Sequence, residues 1–143
     1  MSHRHKLDNF ISSILEARRK RTGIIYIKDN FDRIINIIED RIPNIKIVRL
    51  EELCSEKLII SPLRLFERIS KSFPDSPKII LNIEFLISVN GDSFLDDIAL
   101  LFSRAEPLPG KELFLFFYSK KQYQSFENVY ELSEFTSQNI LEL

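Results

Sequence analysis

Two sets of side chains in this sequence could carry chemistry. The first is Asp29 and Asp32 after one short apolar run, Glu84 inside another, and Ser119 directly after a third. Carboxylates that meet in space can hold a divalent cation, which activates water or steadies a phosphoryl group. The second set is basic: Arg4, Lys6, Arg18, Arg19, Lys20 and Arg21. Its charge suits nucleic-acid phosphates or an acidic partner. No aromatic residue is interleaved in the Arg18 to Arg21 run, so base stacking has no support there. Several other chemistries lack their residues. Cys54 is the sole cysteine, which excludes an internal disulfide and a four-cysteine zinc site. His3 and His5 are the only histidines and leave none for a Ser-His-Asp triad in a core. Cys54 has no histidine near it in sequence to activate it and reads as a small packed apolar residue.

The elements that must position these residues alternate. Leu7, Phe10, Ile11, Ile14 and Leu15 form one apolar stripe, which predicts a helix over 7–21 with Arg18 to Arg21 in its last turn and Gly23 just beyond. Ile24–Ile27 is a β-branched and aromatic run of the kind buried on both faces of a sheet. A helix follows over about 31–42, and Ile45, Ile47, Val48 and Leu50 mark a second strand. Residues 51–61 carry no clear pattern. Ser61-Pro62 starts a helix through Leu63, Phe66, Ile69 and Phe73. Lys78 leads into a third strand running to Leu86. A helix at about 93–104, a strand Leu113–Tyr118, a short helix Gln122–Phe126 and a short strand Val129–Leu132 complete the order, with 136–143 as a tail. Strands separated by helices imply right-handed crossovers and a parallel sheet. The expected fold is one α/β domain over 1–143, a three-layer sandwich on a mainly parallel sheet of about five strands.

Composition agrees with a globular chain. Its 143 residues suit one domain, and 44% are hydrophobic against 29% charged. The net charge of −1 hides an asymmetry. Residues 1–22 hold six Lys or Arg and two Asp or Glu, while the remainder holds 14 and 19. The acidic remainder argues against broad wrapping of DNA. Neither a signal peptide nor a membrane span is legible, and a lone cysteine fits a reducing compartment, so the expected location is the cytoplasm.

Ligands of open α/β sheets bind at the carboxyl ends of the strands. A phosphate-binding loop there needs glycines whose backbone N–H groups wrap the phosphates, a Lys and a Ser or Thr. The turn after the first strand, Ile27-Lys28-Asp29-Asn30-Phe31-Asp32, has no glycine and sets two carboxylates where a triphosphate would sit. Each such like-charge pair costs roughly 4 kcal/mol at about 4 Å and intermediate dielectric.

The run Lys78-Ile-Ile-Leu-Asn-Ile-Glu-Phe-Leu86 nevertheless resembles a Walker B strand ending in an acid. With the helix at about 93–104 and the strand Leu113–Tyr118, whose Ser119 matches a polar sensor position, the chain is similar in outline to an AAA-like P-loop NTPase without Walker A. More narrowly, it resembles the small P-loop-type accessory proteins of BREX phage-defence systems. The resemblance implies that Glu84 stands at the acid position, that Asn82 replaces the more usual Asp, and that the protein is a degenerate, non-hydrolysing relative serving as an assembly partner.

Two other patterns fit less. A receiver-like phosphoacceptor needs an Asp at the end of strand three, where this chain has Asn82 and Glu84, and a Lys after strand five, where it has none. A restriction-type nuclease needs Glu-x-Lys or Asp-x-Lys, and neither occurs. Ile59-Ile60, the Leu113–Tyr118 run and Ile140, Leu141 and Leu143 supply apolar surface beyond what one sheet obviously covers, which suits a docking face. The sequence thus points to a non-catalytic binding subunit of a prokaryotic multi-protein assembly with no cofactor and no membrane, and the resemblance implies DNA-directed phage defence as its setting. A protein partner is expected, with nucleic acid at the basic N-terminal region and self-association left open. The alternative is a metal-dependent phosphodiesterase or NTPase using Asp29, Asp32, Glu84 and Ser119.

Overall fold

The computed structural model describes residues 3–131 and 137–143. Their order is α1 (His3–Glu16), β1 (Thr22–Tyr26), α2 (Phe31–Arg41), β2 (Lys46–Arg49), α3 (Leu50–Leu53), α4 (Pro62–Lys71), β3 (Lys78–Leu81), α5 (Ile83–Asn90), α6 (Asp92–Arg104), β4 (Leu113–Phe117), α7 (Lys120–Glu131) and, after a 3-10 turn at Ser137–Asn139, β5 (Ile140–Glu142). The five strands form one sheet in the order β2-β3-β4-β1-β5, and every pair is parallel. The expected α/β class with helices on both faces is what the molecule has.

The layers follow from chain direction. From β1 the chain crosses over three positions to β2 at one edge. It then returns through β3 and β4 and passes β1 to reach β5. Right-handed crossovers in opposite directions put their helices on opposite faces. Accordingly α2, with α1, packs on one face through Leu7, Ile11, Ile14, Ile34 and Ile38, against Ile25, Ile79, Phe114 and Phe116. The later helices pack on the other through Leu65, Leu86, Ile98, Phe102 and Phe126, against Ile24, Ile80, Leu115 and Phe117. The period of two sends alternate β4 residues to opposite cores, so all five residues of this strand are buried. Most of the apolar surplus is therefore core, including Ile60 and Leu141; Ile59 is not, at 73% exposed.

Several boundaries correct the sequence reading. α1 stops at Glu16 rather than at 21, because Lys20 takes a positive φ of 56° and Arg21 turns inward. Leu50 leaves the second strand and opens α3. The third strand ends at Leu81. Asn82 adopts φ 74° and ψ 31°, and Ile83 onward is helix α5. An unbroken apolar run has no period to separate strand from helix, and the left-handed residue settles it. Val129 lies in α7, not in a strand; Leu132 lies outside the described residues. The supposed tail supplies the fifth strand through Ile140–Glu142.

Gly23 is inside β1 rather than beyond a helix. A Cβ there would lie 2.5 Å from Phe10 Cζ and 3.3 Å from Phe114 Cδ1. Phe10 is itself buried and packs edge-on to Phe114 at 6.3 Å. Gly23→Ala is expected to cost about 1–3 kcal/mol in urea unfolding through overpacking. Adding Phe10→Leu should recover part of that loss, and a strictly additive pair would refute the steric cause.

Candidate functional site

At the carboxyl edge of the sheet, the loop after β1 leads to one face and the loop after β4 to the other. This is a topological switch point, where open α/β sheets form their ligand crevices. A cleft of ≈ 370 Å³ lies there, lined by Ile27, Lys28, Asp29 and Phe31 after β1, Arg49 and Glu51 at and after the end of β2, Leu81 and Asn82 at and after the end of β3, and Tyr118 after β4. Two backbone reversals shape its rim, Asn30 at φ 57° and Asn82 at φ 74°. The Tyr118 hydroxyl donates to Asn82 Oδ1 across it. Burial, followed by the nearby Glu84 and Glu51 carboxylates, pushes the Tyr118 phenol upward. It therefore stays a neutral donor at physiological pH.

Glu84 does not open into this cleft. It is 6% exposed, and its Oε2 accepts the backbone N–H of Tyr118 at 2.6 Å and of Ser119 at 2.8 Å. The carboxylate ties the start of α5 to the turn between β4 and α7. Its Oε1 is buried, with no hydrogen-bond partner among the described residues. Burial raises its pKa, while the two N–H donors pull it down less strongly. With the folded pKa above the unfolded value, the native state holds more protons between the two. Stability therefore falls as pH rises through that window, and ionised Glu84 is a cost above it. Glu84→Gln keeps an acceptor for the N–H groups and removes the charge. It should equal or exceed the wild type in stability at neutral pH, with the difference shrinking as pH drops below the ordinary carboxylate range. Glu84→Ala strands both N–H groups and should cost about 1–3 kcal/mol. Urea titrations at several pH values check both; a Gln variant less stable than the wild type at neutral pH would contradict the account.

The other members of the carboxylate set scatter. Asp29 lines the cleft, and Asp32 is exposed on the first turn of α2. Ser119 Oγ accepts from Gln122 N at 3.4 Å, within the first turn of α7. Among the described residues no three His, Cys, Asp or Glu side chains gather as a metal cage. Cys54 is fully buried, and burial pushes its thiol up, against a weaker pull from Arg68, as suits a packing residue.

The basic set divides as well. Arg21, 7% exposed, donates to Glu112 Oε2 at 2.7 Å and to the carbonyls of Leu15 and Ala17. Its guanidinium is spent inside the protein and presents no contact surface. Lys20 reaches Ser103 O at 2.9 Å, and Arg19 pairs with Glu106. Arg18 is exposed; Arg4 stands 3.7 Å from Asp8, and Lys6 is exposed on α1. The run reads as a contiguous basic patch in sequence, but the fold turns most of it into tethers.

Sequence reasoning did not reach Arg49, Glu51 or the Tyr118–Asn82 pair as cleft residues. Arg49 ends β2 and Glu51 follows it, at the same carboxyl edge of the sheet as the residues after β1, β3 and β4. Tyr118 was read as the last strand residue, whereas β4 ends at Phe117 and Tyr118 begins the loop.

Fold and site together define an all-parallel α/β protein with a mixed-charge cleft at its switch point. Comparison with known protein families, with curated proteins and with solved structures returns no match. No helix among the described residues is long and apolar enough to cross a membrane.

Proposed function

We propose that this chain is a non-catalytic binding subunit of a prokaryotic multi-protein assembly, built on a degenerate AAA-like P-loop domain and serving DNA-directed phage defence. The observation that carries the non-catalytic part is the fate of Glu84. The acid at the Walker B position is buried, bound to two backbone N–H groups and does not line the cleft. The turn into α2 supports the same reading, because Asp29 occupies the rim where phosphate would need N–H donors. The P-loop kinship rests on the resemblance of the Lys78–Leu86 run, and of the helix and strand that follow it, to an acid-bearing strand and its sequel. The defence role rests on the resemblance to BREX accessory proteins alone.

Two measurements test this. ATP–Mg at 100 times the Kd of a working site would stabilise the protein by about 2.7 kcal/mol. No thermal shift beyond a magnesium-only control is expected. A tagged copy recovered from its own host should carry a stoichiometric protein partner, and Asp29→Ala should keep it. A clear ATP–Mg shift, or loss of function with Asp29→Ala while the partner stays bound, would transfer the case to the NTPase or phosphodiesterase alternative.

A further inference from the structure

The helix α5 carries apolar residues on its outer as well as its inner face, with Glu84, exposed Ser88 and Asn90 as its polar members. Ile83, Leu86 and Ile87 enter the core, while Phe85 and Val89 point outward at 38% and 39% exposure. A helix with apolar residues on both faces is normally covered on both. Phe85 and Val89 are four residues apart and share one face. Beside them, the Asn90 side chain fixes the preceding loop to the end of α5, donating to Leu58 O at 2.9 Å and accepting from Ile60 N at 3.1 Å. That tether holds exposed Ile59 next to the same helix end.

The flanks of this strip are mainly acidic, with exposed Lys57 interrupting them beside Glu56. On one side stand Glu52 and Glu56, in and after α3, which packs against α5. On the other are Asp92, Asp96 and Asp97 of α6, which begins one residue after α5 ends. All five are exposed, and none has an ion-pair partner among the described residues. From Ile79 to Ser103 the chain contains no Lys or Arg. An apolar strip with acidic margins repels nucleic acid and anionic lipid, and it complements a cationic protein surface.

We infer that the outer face of α5 is the docking site for an amphipathic helix of a partner protein, one whose apolar anchors meet Phe85, Val89 and Ile59 and whose flanks carry Lys or Arg. This rests on the binding-subunit reading and names its surface. Helices recognised in this way offer anchors one turn apart. The α1 helix of a second copy does not fit the description. This basic helix already buries the apolar stripe Leu7, Phe10, Ile11 and Ile14 against its own sheet.

The test uses two labelled helical peptides of equal length and identical leucine face, one with lysine and one with glutamate on the polar face. Fluorescence anisotropy is read with the wild type, with Phe85→Asp/Val89→Asp and with Asp96→Lys/Asp97→Lys. The lysine peptide should bind the wild type at least about tenfold more tightly than the glutamate peptide. The apolar double variant should lose at least about tenfold, and the charge-reversed one should lose much of its lysine preference. Both positions of the apolar pair are surface-exposed; should circular dichroism show that pair unfolded, Val89→Glu alone takes its place. Equal binding of both peptides, or unchanged binding by the apolar variant, overturns the site. Recovery from the host separates this from the broader reading. A partner that wild type retains and Phe85→Asp/Val89→Asp loses supports the site. A partner that both retain refutes the α5 face while leaving the subunit reading intact. A wild type recovered alone refutes both.

Discussion

Replacing Glu112 with alanine is expected to destabilise the protein by about 3–5 kcal/mol, the usual cost of leaving a buried charge without its partner. Arg21 and Glu112 side chains are 9% and 2% exposed and meet at 2.6 Å. Glu112 also accepts the Gly110 N–H at 3.0 Å, and Arg21 donates to the carbonyls of Leu15 and Ala17 at the end of α1. The pair thus joins the α1–β1 connection to the approach to β4. Urea unfolding measures the loss. Arg21→Met with Glu112→Leu should be far milder than either single removal, since apolar residues of similar size carry no desolvation cost. Additive single effects would refute the pairing. The result has a practical corollary. Charge reversal across Arg18 to Arg21 does not isolate a binding role, because reversing Arg21 breaks the fold. Arg18→Glu, at an exposed position, should shift stability by less than about 0.5 kcal/mol and is the usable probe of the basic surface.

Removing residues 138–143 should cost about 4 kcal/mol, from burial of Leu141 at about 1.5–3 kcal/mol and two hydrogen bonds at about 1 kcal/mol each. Asn139 Nδ2 donates to Lys20 O at 2.8 Å and to Thr22 O at 2.9 Å. Leu143 N reaches Tyr26 O at 2.9 Å, which completes the ladder of β5 on β1. The exposed Lys120–Glu142 pair at 3.0 Å adds little. Against a total stability of about 5–15 kcal/mol such a loss is large. It also opens β1 as a new sheet edge, with the aggregation that bare edges invite. Urea midpoints and amide exchange at Thr22–Tyr26 report both effects; an unchanged midpoint with protected β1 amides would contradict them. Loss of partner binding after such a truncation would therefore report unfolding, not a lost docking segment.

These two cases locate what was legible. Local pattern was enough for the α/β class, for the stripes of α1 and α2 and for four of the five strands. Period and turn chemistry are local properties, and a sheet buried on both faces writes itself as short apolar runs. The same local rules could not divide Ile79–Leu86, because an all-apolar run has no period. The division came from Asn82 at φ 74° and from the space α5 fills. Nor could they place Ile140–Glu142 beside β1, since pairing partners are chosen by the whole sheet and not by the segment. The candidate site shows the same limit. That carboxylates, a serine and a basic run existed was plain in the sequence. That Glu84 would be consumed by the N–H groups of Tyr118 and Ser119, and Arg21 by a carboxylate 91 residues away, was decided only in the tertiary structure. Whether a charged side chain faces solvent or is paired in the interior depends on what long-range folding brings to it, and residue type and spacing carry no record of that.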